Sequence, residues 1–143
     1  MLPPRSPFSL IQEDLWPDDW KILISCMLLN CTTRKQVEKV LPQLFFQWPT
    51  AKDMVVADPA ALSIVISSLG FQNRRAVSLI KMSKAYHSGL WSHAKELPGI
   101  GDYAAAAWEI FCRGSLPVTP PNDHALVAYY NWRKRHECLA TLD

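Results

Sequence analysis

The sequence has few of the features that mark metal sites, secreted proteins or membrane proteins. Its four cysteines include no C-x-x-C pair, so the ligand spacing typical of zinc sites and iron–sulfur clusters is missing. The longest apolar stretch, residues 22–29, is far shorter than the roughly 20 residues that cross a bilayer. The first residues, MLPPRSPF, lack the apolar segment of a secretory signal. We therefore expect an intracellular, soluble protein with reduced thiols and no membrane partner.

The chain also has little excess of either charge. Of its 143 residues, 49% are hydrophobic and 20% are charged, and the formal net charge is +2. This composition is typical of a globular protein, and the length suits a single domain over residues 1–143. The small positive charge permits a nucleic-acid partner without requiring one. Basic residues gather within 34–39, 74–84 and 133–136, as solvated helix faces or as parts of a nucleic-acid surface.

Signals for β-strands are scarce, whereas signals for helix ends are frequent. Asp58 followed by Pro59 is typical of a helix start, and Gly70 stands where a left-handed C-cap ends a helix, which predicts a helix over 59–69. Asn73 can cap the next helix, whose apolar residues recur at three- and four-residue spacing. Similar signals predict helices near residues 8–15, 17–30, 34–47, 50–57, 92–97, 102–112 and 123–137. We expect an all-α domain of about eight or nine short helices.

The stretch LPGIGDYAA, residues 97–105, places two glycines directly before a predicted helix. Gly99, Gly101 and Ala104 satisfy the G-x-G-x-x-G/A pattern of dinucleotide-binding proteins, but that pattern requires a preceding strand, and SHAKELP is poor strand material. A tight turn between two helices is the better interpretation. It leaves the first N–H groups of the second helix free for a phosphate, or it is only a connecting turn with a glycine cap. Asp102 would repel a close phosphate, so we expect it to point away.

The stretch RGSLPVTPPND, residues 113–123, is rich in proline. Its prolines exclude a helix and favour an extended path that leads Asn122 and Asp123 to the start of the last predicted helix. A stiff approach of this kind can hold a carboxylate in a fixed position. Asn122 or Asp123 can also cap the last helix.

Four stretches in the same order along the chain carry a resemblance to a known family. They are SPFSLIQEDLWPDDWKILISCMLLNCTT at 6–33, LGFQNRRAVSLIKMSKAY at 69–86, LPGIGDYAA at 97–105 and LPVTPPNDHALV at 116–127. Together they resemble the helix-hairpin-helix (HhH-GPD) DNA glycosylase superfamily, and within it the glycosylases that remove thymine or uracil from mismatches. The resemblance covers nearly the whole chain. It implies a helix-hairpin-helix at about 92–112, a Pro-rich loop with the catalytic acid at about 114–123, and no iron–sulfur cluster or other cofactor.

The resemblance assigns catalytic and pocket roles. Asp123 matches the family's catalytic carboxylate, which stabilises the positive charge that develops on the deoxyribose and takes a proton from the attacking water. Tyr103 stands where bifunctional relatives carry a lysine nucleophile, and a phenol cannot form their imine, so the reaction implied is monofunctional hydrolysis. Gln12, Tyr103 and Leu29 would line the base pocket, where an amide offers a donor and an acceptor to a flipped pyrimidine. The alternative is that Tyr103 packs in the core and Gln12 lies on the surface.

The resemblance also assigns contacts with DNA. Leu69 and Phe71 match a loop that probes the duplex, where an apolar side chain supports unstacking, although Phe71 can also be an ordinary hydrophobic contact after a glycine. The full set of implied DNA-binding residues is Gly99, Ile100, Gly101, Leu69, Gly70, Phe71, Cys31, Thr32, Arg34 and His124.

Two positions depart from the family pattern. Cys31 stands where the family has an arginine that fills the gap left by the extruded base, and a thiol cannot span that gap. Either Arg34 reaches in or the gap is filled differently. Ala125 replaces a lysine and so removes a cation near the DNA.

The function implied by the resemblance is removal of thymine, uracil or a modified pyrimidine opposite guanine in double-stranded DNA. The implied enzyme is monofunctional, monomeric and nuclear. Two alternatives remain open, a non-catalytic helix-hairpin-helix module that binds DNA and an adenine-excising relative.

Overall fold

The structure, a computed structural model, describes residues 11–113, 129, 131 and 132. Asp123, His124 and Ala125 lie outside the described residues, as do the Pro-rich segment from residue 114 onward and most of the last predicted helix. Within the described residues every regular element is a helix. The predicted all-α class is confirmed.

Seven α-helices and two short 3₁₀ turns follow one another through residues 11–113. They are α1 (Ile11–Leu15), α2 (Asp19–Leu28), α3 (Arg34–Gln47), α4 (Ala51–Val55), α5 (Pro59–Val65), a 3₁₀ turn (Ser67–Leu69), α6 (Gln72–Ser88), a second 3₁₀ turn (Ala94–Glu96) and α7 (Asp102–Cys112). Each overlaps a segment that the sequence predicts as helical. None of the described helices is long and apolar enough to cross a membrane.

Side-chain caps set where four of these helices begin. Asp18 and Asp58 accept hydrogen bonds from backbone N–H groups in the first turns of α2 and α5, and Pro59 is the first residue of α5 as predicted. Thr33 and Thr50 form capping boxes at α3 and α4. Each cap satisfies N–H groups that have no partner inside the helix and contributes about 1 kcal/mol.

The connection between α5 and α6 differs from the sequence prediction. The helix predicted over 59–69 stops at Val65 and continues as a 3₁₀ turn. Gly70 has φ 77° and ψ 163°, so it has the predicted positive φ but is extended and is not a left-handed cap. Phe71 takes the left-handed conformation instead, at φ 50°, and α6 begins at the next residue with no side-chain cap. The predicted Asn73 cap is wrong because the chain turns earlier, which leaves Asn73 inside the first helical turn.

Helix α2 lies at the centre of the core. Ile22, Leu23, Ile24 and Leu28 are fully buried, and α2 packs against α1, α3, α6 and α7. A helix that is apolar on all sides is stable only when other elements surround it. Helix α6 in turn packs on α4 and α5. This core holds the end of α2, the start of α6 and the start of α7 close to one another.

The helix-hairpin-helix consists of the second 3₁₀ turn, a tight turn at residues 97–101, and α7. His93 caps the 3₁₀ turn, and its Nε2 lies 2.8 Å from Glu109 Oε1 on α7. The His93 ring also packs edge-on against Trp108, with 4.9 Å between the ring centroids. These contacts join the two arms of the hairpin and hold the glycine turn between them in place.

Candidate active site

A cleft of about 800 Å³ opens where three chain segments meet. The segments are the end of α2 with the loop that follows, the first turns of α6, and the start of α7 with the preceding turn. The lining residues are Cys26, Met27, Leu28, Leu29, Asn30, Cys31, Phe71, Arg74, Arg75, Ser78, Leu79, Gly99, Gly101, Asp102, Tyr103 and Ala104. This volume falls in the range of about 300–1,000 Å³ that ligand pockets occupy, so the cleft has room for a nucleotide.

Gly99 and Gly101 have different reasons to lack a side chain. Gly99 has φ 80°, a backbone conformation that favours glycine. A Cβ atom there would lie 2.9 Å from Met27 Cε, the flexible end of a side chain that would have to shift. Gly101 has an ordinary extended conformation, and a Cβ atom there would meet no atom of the described residues within 4 Å. Gly101 therefore leaves open space beside the start of α7.

The start of α7 exposes backbone donors to the cleft. Gly101 is the N-cap and gives no side-chain hydrogen bond, and the first bond of the helix runs from Ala105 N to Gly101 O at 3.0 Å. The N–H groups of residues 102–104 therefore have no acceptor inside the helix. Together with the positive end of the helix dipole, they favour an anion.

Asp102 is the acidic group beside these donors. Its side chain is 85% exposed, and Oδ1 lies 3.5 Å from Lys95 Nζ. The carboxylate thus lies near a cation on the surface of the hairpin, which weakens its repulsion of an anion at the helix start.

The Gln12 amide and the Tyr103 phenol are hydrogen-bonded to each other. Gln12 Nε2 donates to Tyr103 Oη at 2.7 Å and to Cys26 Sγ at 3.4 Å. Gln12 is 2% exposed and so is not a surface residue, whereas Tyr103 lines the cleft. In the described contacts both amide N–H groups have an acceptor, and Oε1 remains to accept a further bond. Such an oxygen can accept a hydrogen bond from the N3–H group of thymine or uracil.

Arg75 connects the two loops that border the cleft. Its Nη2 donates to Asn30 O at 2.9 Å, and its Nε donates to Gly70 O at 2.8 Å. Each accepting carbonyl comes directly before a non-glycine residue with positive φ, Cys31 at φ 60° and Phe71 at φ 50°. Such conformations cost of order 1–3 kcal/mol each and persist only where neighbouring groups fix them. The Arg75 guanidinium is one such group for both residues.

Phe71 and Arg74 form an exposed rim of the cleft on α6. Phe71 is 70% exposed and lines the cleft, so its ring is accessible at the mouth of the cleft. Arg74 is also exposed, and it forms no ion pair within the residues that the structure describes. The rim thus combines an apolar ring with a cation, the two groups that bases and phosphates bind.

The cleft brings together most of the site residues that the sequence predicts. Those that line it are Leu29, Cys31, Phe71, Gly99, Gly101 and Tyr103, and Gln12 lies behind Tyr103. The predicted catalytic Asp123 and the predicted DNA contact His124 lie outside the described residues.

Four other predicted DNA contacts have side chains that pack in the core or bond to other groups of the protein. Leu69 and Ile100 are only 7% and 8% exposed and pack in the core. Thr32 Oγ1 donates to the backbone of α2, and Arg34 Nε lies 2.6 Å from Glu38 Oε1. Of the two residues predicted to probe the duplex, only Phe71 therefore presents its side chain to solvent. Arg34 is absent from the lining of the cleft and does not occupy the space next to Cys31.

Sequence reasoning assigned no site role to Arg74, Arg75 or Ser78. Arg74 and Arg75 precede Ser78 by four and three residues, which places the three residues on one face of α6, and all of them line the cleft. The sequence contains this spacing. Only the structure shows where the cleft lies, however, and from the sequence alone this spacing looks the same as that of a solvated basic helix face.

The described thiols differ in their surroundings. Cys26 is buried, Cys31 is exposed, and Cys112 is intermediate. Burial, with the Asp19 carboxylate nearby, raises the pKa of the Cys112 thiol to about 12. Among the described residues no group of three or more His, Cys, Asp or Glu side chains is arranged to hold a metal ion.

Comparison with known proteins gives consistent matches. The family model of the HhH-GPD superfamily base excision DNA repair proteins matches residues 24–137. A methyl-CpG-binding domain protein 4-like protein of Arabidopsis thaliana is 39% identical over 131 residues, which cover 92% of this chain and 29% of that protein. A thymine-DNA glycosylase of Aeropyrum pernix is 32% identical over 96 residues, which cover 62% of this chain and 43% of that protein.

Solved structures agree with these matches. The structure of a thermostable thymine-DNA glycosylase superposes with a TM-score of 0.63 and 26% identity, over 68% of this chain and 48% of that chain. The chain thus spans less than half the length of each of these relatives. The all-helical fold, the hairpin turn beside the cleft and the family match over residues 24–137 agree with one another. The chain belongs to the HhH-GPD superfamily of base excision DNA repair proteins.

Proposed function

We propose that this chain is the catalytic domain of a DNA glycosylase that removes thymine or uracil, or a modified pyrimidine, opposite guanine. The reaction is hydrolysis of the base–sugar bond, and its product is an abasic site in an uncut strand. The enzyme acts as a monomer on double-stranded DNA in the nucleus. Two of the similar proteins are named as thymine-DNA glycosylases, which favours a pyrimidine substrate.

The observation that carries this proposal is the shared cleft of the hairpin and the Tyr103 phenol. The start of α7 offers N–H donors to a backbone phosphate, and Tyr103 belongs to that same first turn of the helix. Gln12 lies behind the phenol and donates to it from Nε2; in this proposal its Oε1 accepts from the pyrimidine. The candidate phosphate site and the candidate base pocket thus share one cleft.

Asp123 would supply the chemistry at this cleft. As the base leaves, positive charge develops on the deoxyribose, and an ionised carboxylate beside it stabilises the transition state. The same carboxylate can take a proton from the water that attacks the sugar. Preorganised groups of this kind lower the activation free energy by about 3–4 kcal/mol each.

Hydrolysis by water, without a covalent enzyme intermediate, is supported by the composition of the cleft. A bifunctional glycosylase needs an amine that forms an imine with the sugar. The cleft lining contains no lysine among the described residues, and Tyr103 has a phenol in its place. A phenol can orient a base or a water but cannot form the imine.

A mismatch lowers the cost of the first step. The base must leave the helix before the carboxylate can act, and unstacking and unpairing cost a few kcal/mol, less for a poorly paired base. The exposed Phe71 ring can support the unstacked duplex from the rim of the cleft. Selectivity for a mismatched pyrimidine thus begins with extrusion and continues in the pocket.

A panel of labelled duplexes tests this function. The protein is incubated with duplexes that contain G·T, G·U or G·A, and alkali then reveals abasic sites. We expect product with G·T and G·U, and none after Asp123→Asn, although that variant should still bind. Product with G·A alone indicates an adenine-excising relative, and salt-sensitive binding without any product indicates a non-catalytic module.

A further inference from the structure

We propose that Arg74 is a DNA contact that stabilises the flipped state of the substrate, an assignment that rests on the proposed function. Its guanidinium would occupy the space that the extruded nucleotide leaves in the duplex, beside the ring of Phe71. Arg74 would thus serve the extrusion step, whereas Tyr103 and Asp123 would serve the base and the sugar.

Helix α6 places Arg74 at the rim of the cleft. Arg74 follows Phe71 by three residues and precedes Ser78 by four, and all three line the cleft. Arg74 and Ser78 are neighbours on one face of α6, and Phe71 lies directly before the first residue of that helix. Arg74 and the exposed Phe71 ring therefore approach a docked duplex from the same side.

Arg74 has fewer internal contacts than the arginines near it. Arg75 is held by two backbone carbonyls, and Arg34 lies 2.6 Å from Glu38. Arg74 is exposed and has no ion pair or hydrogen bond within the described part of the chain. Its guanidinium can therefore bind a ligand without breaking an ion pair or hydrogen bond to the described residues.

The loop after α2 provides no cation of its own. Residues 26–31 line the cleft without a charged side chain. Cys31 is exposed and held at φ 60°, but a thiol makes only weak hydrogen bonds. Among the described lining residues the charged side chains are those of Arg74, Arg75 and Asp102, so Arg74 is the cation left to meet the DNA.

A guanidinium suits the space left by an extruded nucleotide. It is planar and can stack on the bases that flank the gap, and its five donors can reach phosphates or the edge of the unpaired guanine. Phe71 separates the bases, and Arg74 replaces part of the stacking and hydrogen bonding that they lose. The two residues divide these tasks.

The test compares Arg74→Ala with Lys84→Ala. Lys84 is an exposed cation about three turns further along α6 and outside the cleft lining, so its removal controls for the loss of one charge. Binding is measured with a duplex that carries an abasic-site analogue opposite guanine. Extrusion is measured by the fluorescence of 2-aminopurine next to a G·U mismatch, and excision by single-turnover kinetics.

We expect Arg74→Ala to reduce each of the three quantities, the affinity, the fluorescence change and the excision rate, by about tenfold or more. We expect Lys84→Ala to change each of them by less than about threefold. Arg74→Lys should recover binding only in part because an ammonium cannot stack. Equal, small effects of Arg74→Ala and Lys84→Ala would overturn the proposal.

A second variant tests the position of the guanidinium. Cys31 lines the same cleft from the other loop, so Cys31→Arg in the Arg74→Ala background should restore extrusion and binding. A folded double variant with no recovery would overturn the assignment of Arg74 to this space. If the unaltered protein binds the abasic duplex but excises no base, the proposed function is wrong, while the binding comparison still decides the role of Arg74.

Discussion

Gln12 Nε2 donates a hydrogen bond to Tyr103 Oη at 2.7 Å, between two residues that are 91 positions apart in the sequence. The bond joins the first helix to the hairpin and fixes the phenol at the inner side of the cleft. It also leaves the Gln12 carbonyl oxygen available. One contact thus links the stability of the domain to the proposed base pocket.

Tyr103→Phe removes the acceptor of this bond and leaves a buried amide N–H without a partner. We expect the free energy of unfolding to fall by about 1–3 kcal/mol, and the excision rate to fall as well. Denaturant unfolding and single-turnover kinetics measure the two effects.

Tyr86→Phe is the matched control for this substitution. Tyr86 Oη donates to Asp19 Oδ1, away from the cleft lining. We expect this variant to lose stability to a similar extent and to keep its excision rate. If both variants slow excision equally, the Gln12–Tyr103 pair has no specific role in the pocket.

Gly99→Ala and Gly101→Ala separate folding from binding at the hairpin. Gly99→Ala should destabilise the domain by at least about 1–2 kcal/mol because the residue has positive φ and its Cβ would contact Met27. Gly101→Ala should cost less, about 0.5–1 kcal/mol for the poorer N-cap, since its conformation is ordinary and the space around it is open. It should weaken DNA binding, because the methyl group lies where a phosphate would approach the N–H donors.

Thermal unfolding and binding to a duplex with an abasic-site analogue measure this pair of variants. If Gly101→Ala binds the duplex with unchanged affinity, no DNA phosphate binds at the start of α7.

Arg75→Lys should loosen both loops of the cleft. A lysine cannot donate to Asn30 O and Gly70 O from the two nitrogens that Arg75 uses. We expect a loss of about 1.5–3 kcal/mol in stability and faster hydrogen exchange of amides near residues 31 and 71. Unchanged exchange at both loops would show that other contacts fix these residues.

Cys31 should react with a thiol reagent faster than Cys26 or Cys112. Cys31 is exposed, whereas burial raises the pKa of the Cys112 thiol to about 12, so at pH 8 Cys112 has almost no reactive thiolate. A bound duplex should slow the labelling of Cys31, because Cys31 lines the cleft. Mass spectrometry of maleimide-treated protein, with and without DNA, gives the rates. Labelling of Cys31 that DNA does not slow would place the duplex elsewhere.

The all-α class, the Asp58 cap with Pro59 as the first helical residue, and most helix positions could be predicted from the sequence. These features depend on the local spacing of apolar residues and on capping residues. The break between α5 and α6 was predicted incorrectly, since the positive φ of Phe71 depends on contacts such as those of Arg75, which bonds both Gly70 O and, from the distant loop after α2, Asn30 O. The pairing of Arg34 with Glu38 is an i,i+4 contact within α3, so its spacing is present in the sequence. The presence of Arg74 in the cleft, by contrast, follows from how α6 packs on its neighbours. Gln12 and Tyr103 were predicted to share a pocket only because of the family resemblance. They are 91 residues apart, so no local sequence pattern predicts the hydrogen bond between them.

The products of a single-turnover reaction on a G·U duplex test the proposed hydrolysis most directly. With borohydride present, mass spectrometry should find free uracil and an intact abasic strand, and no covalent adduct between protein and DNA. A trapped adduct, or a strand cut before alkali is added, would contradict hydrolysis by water at the Tyr103 cleft.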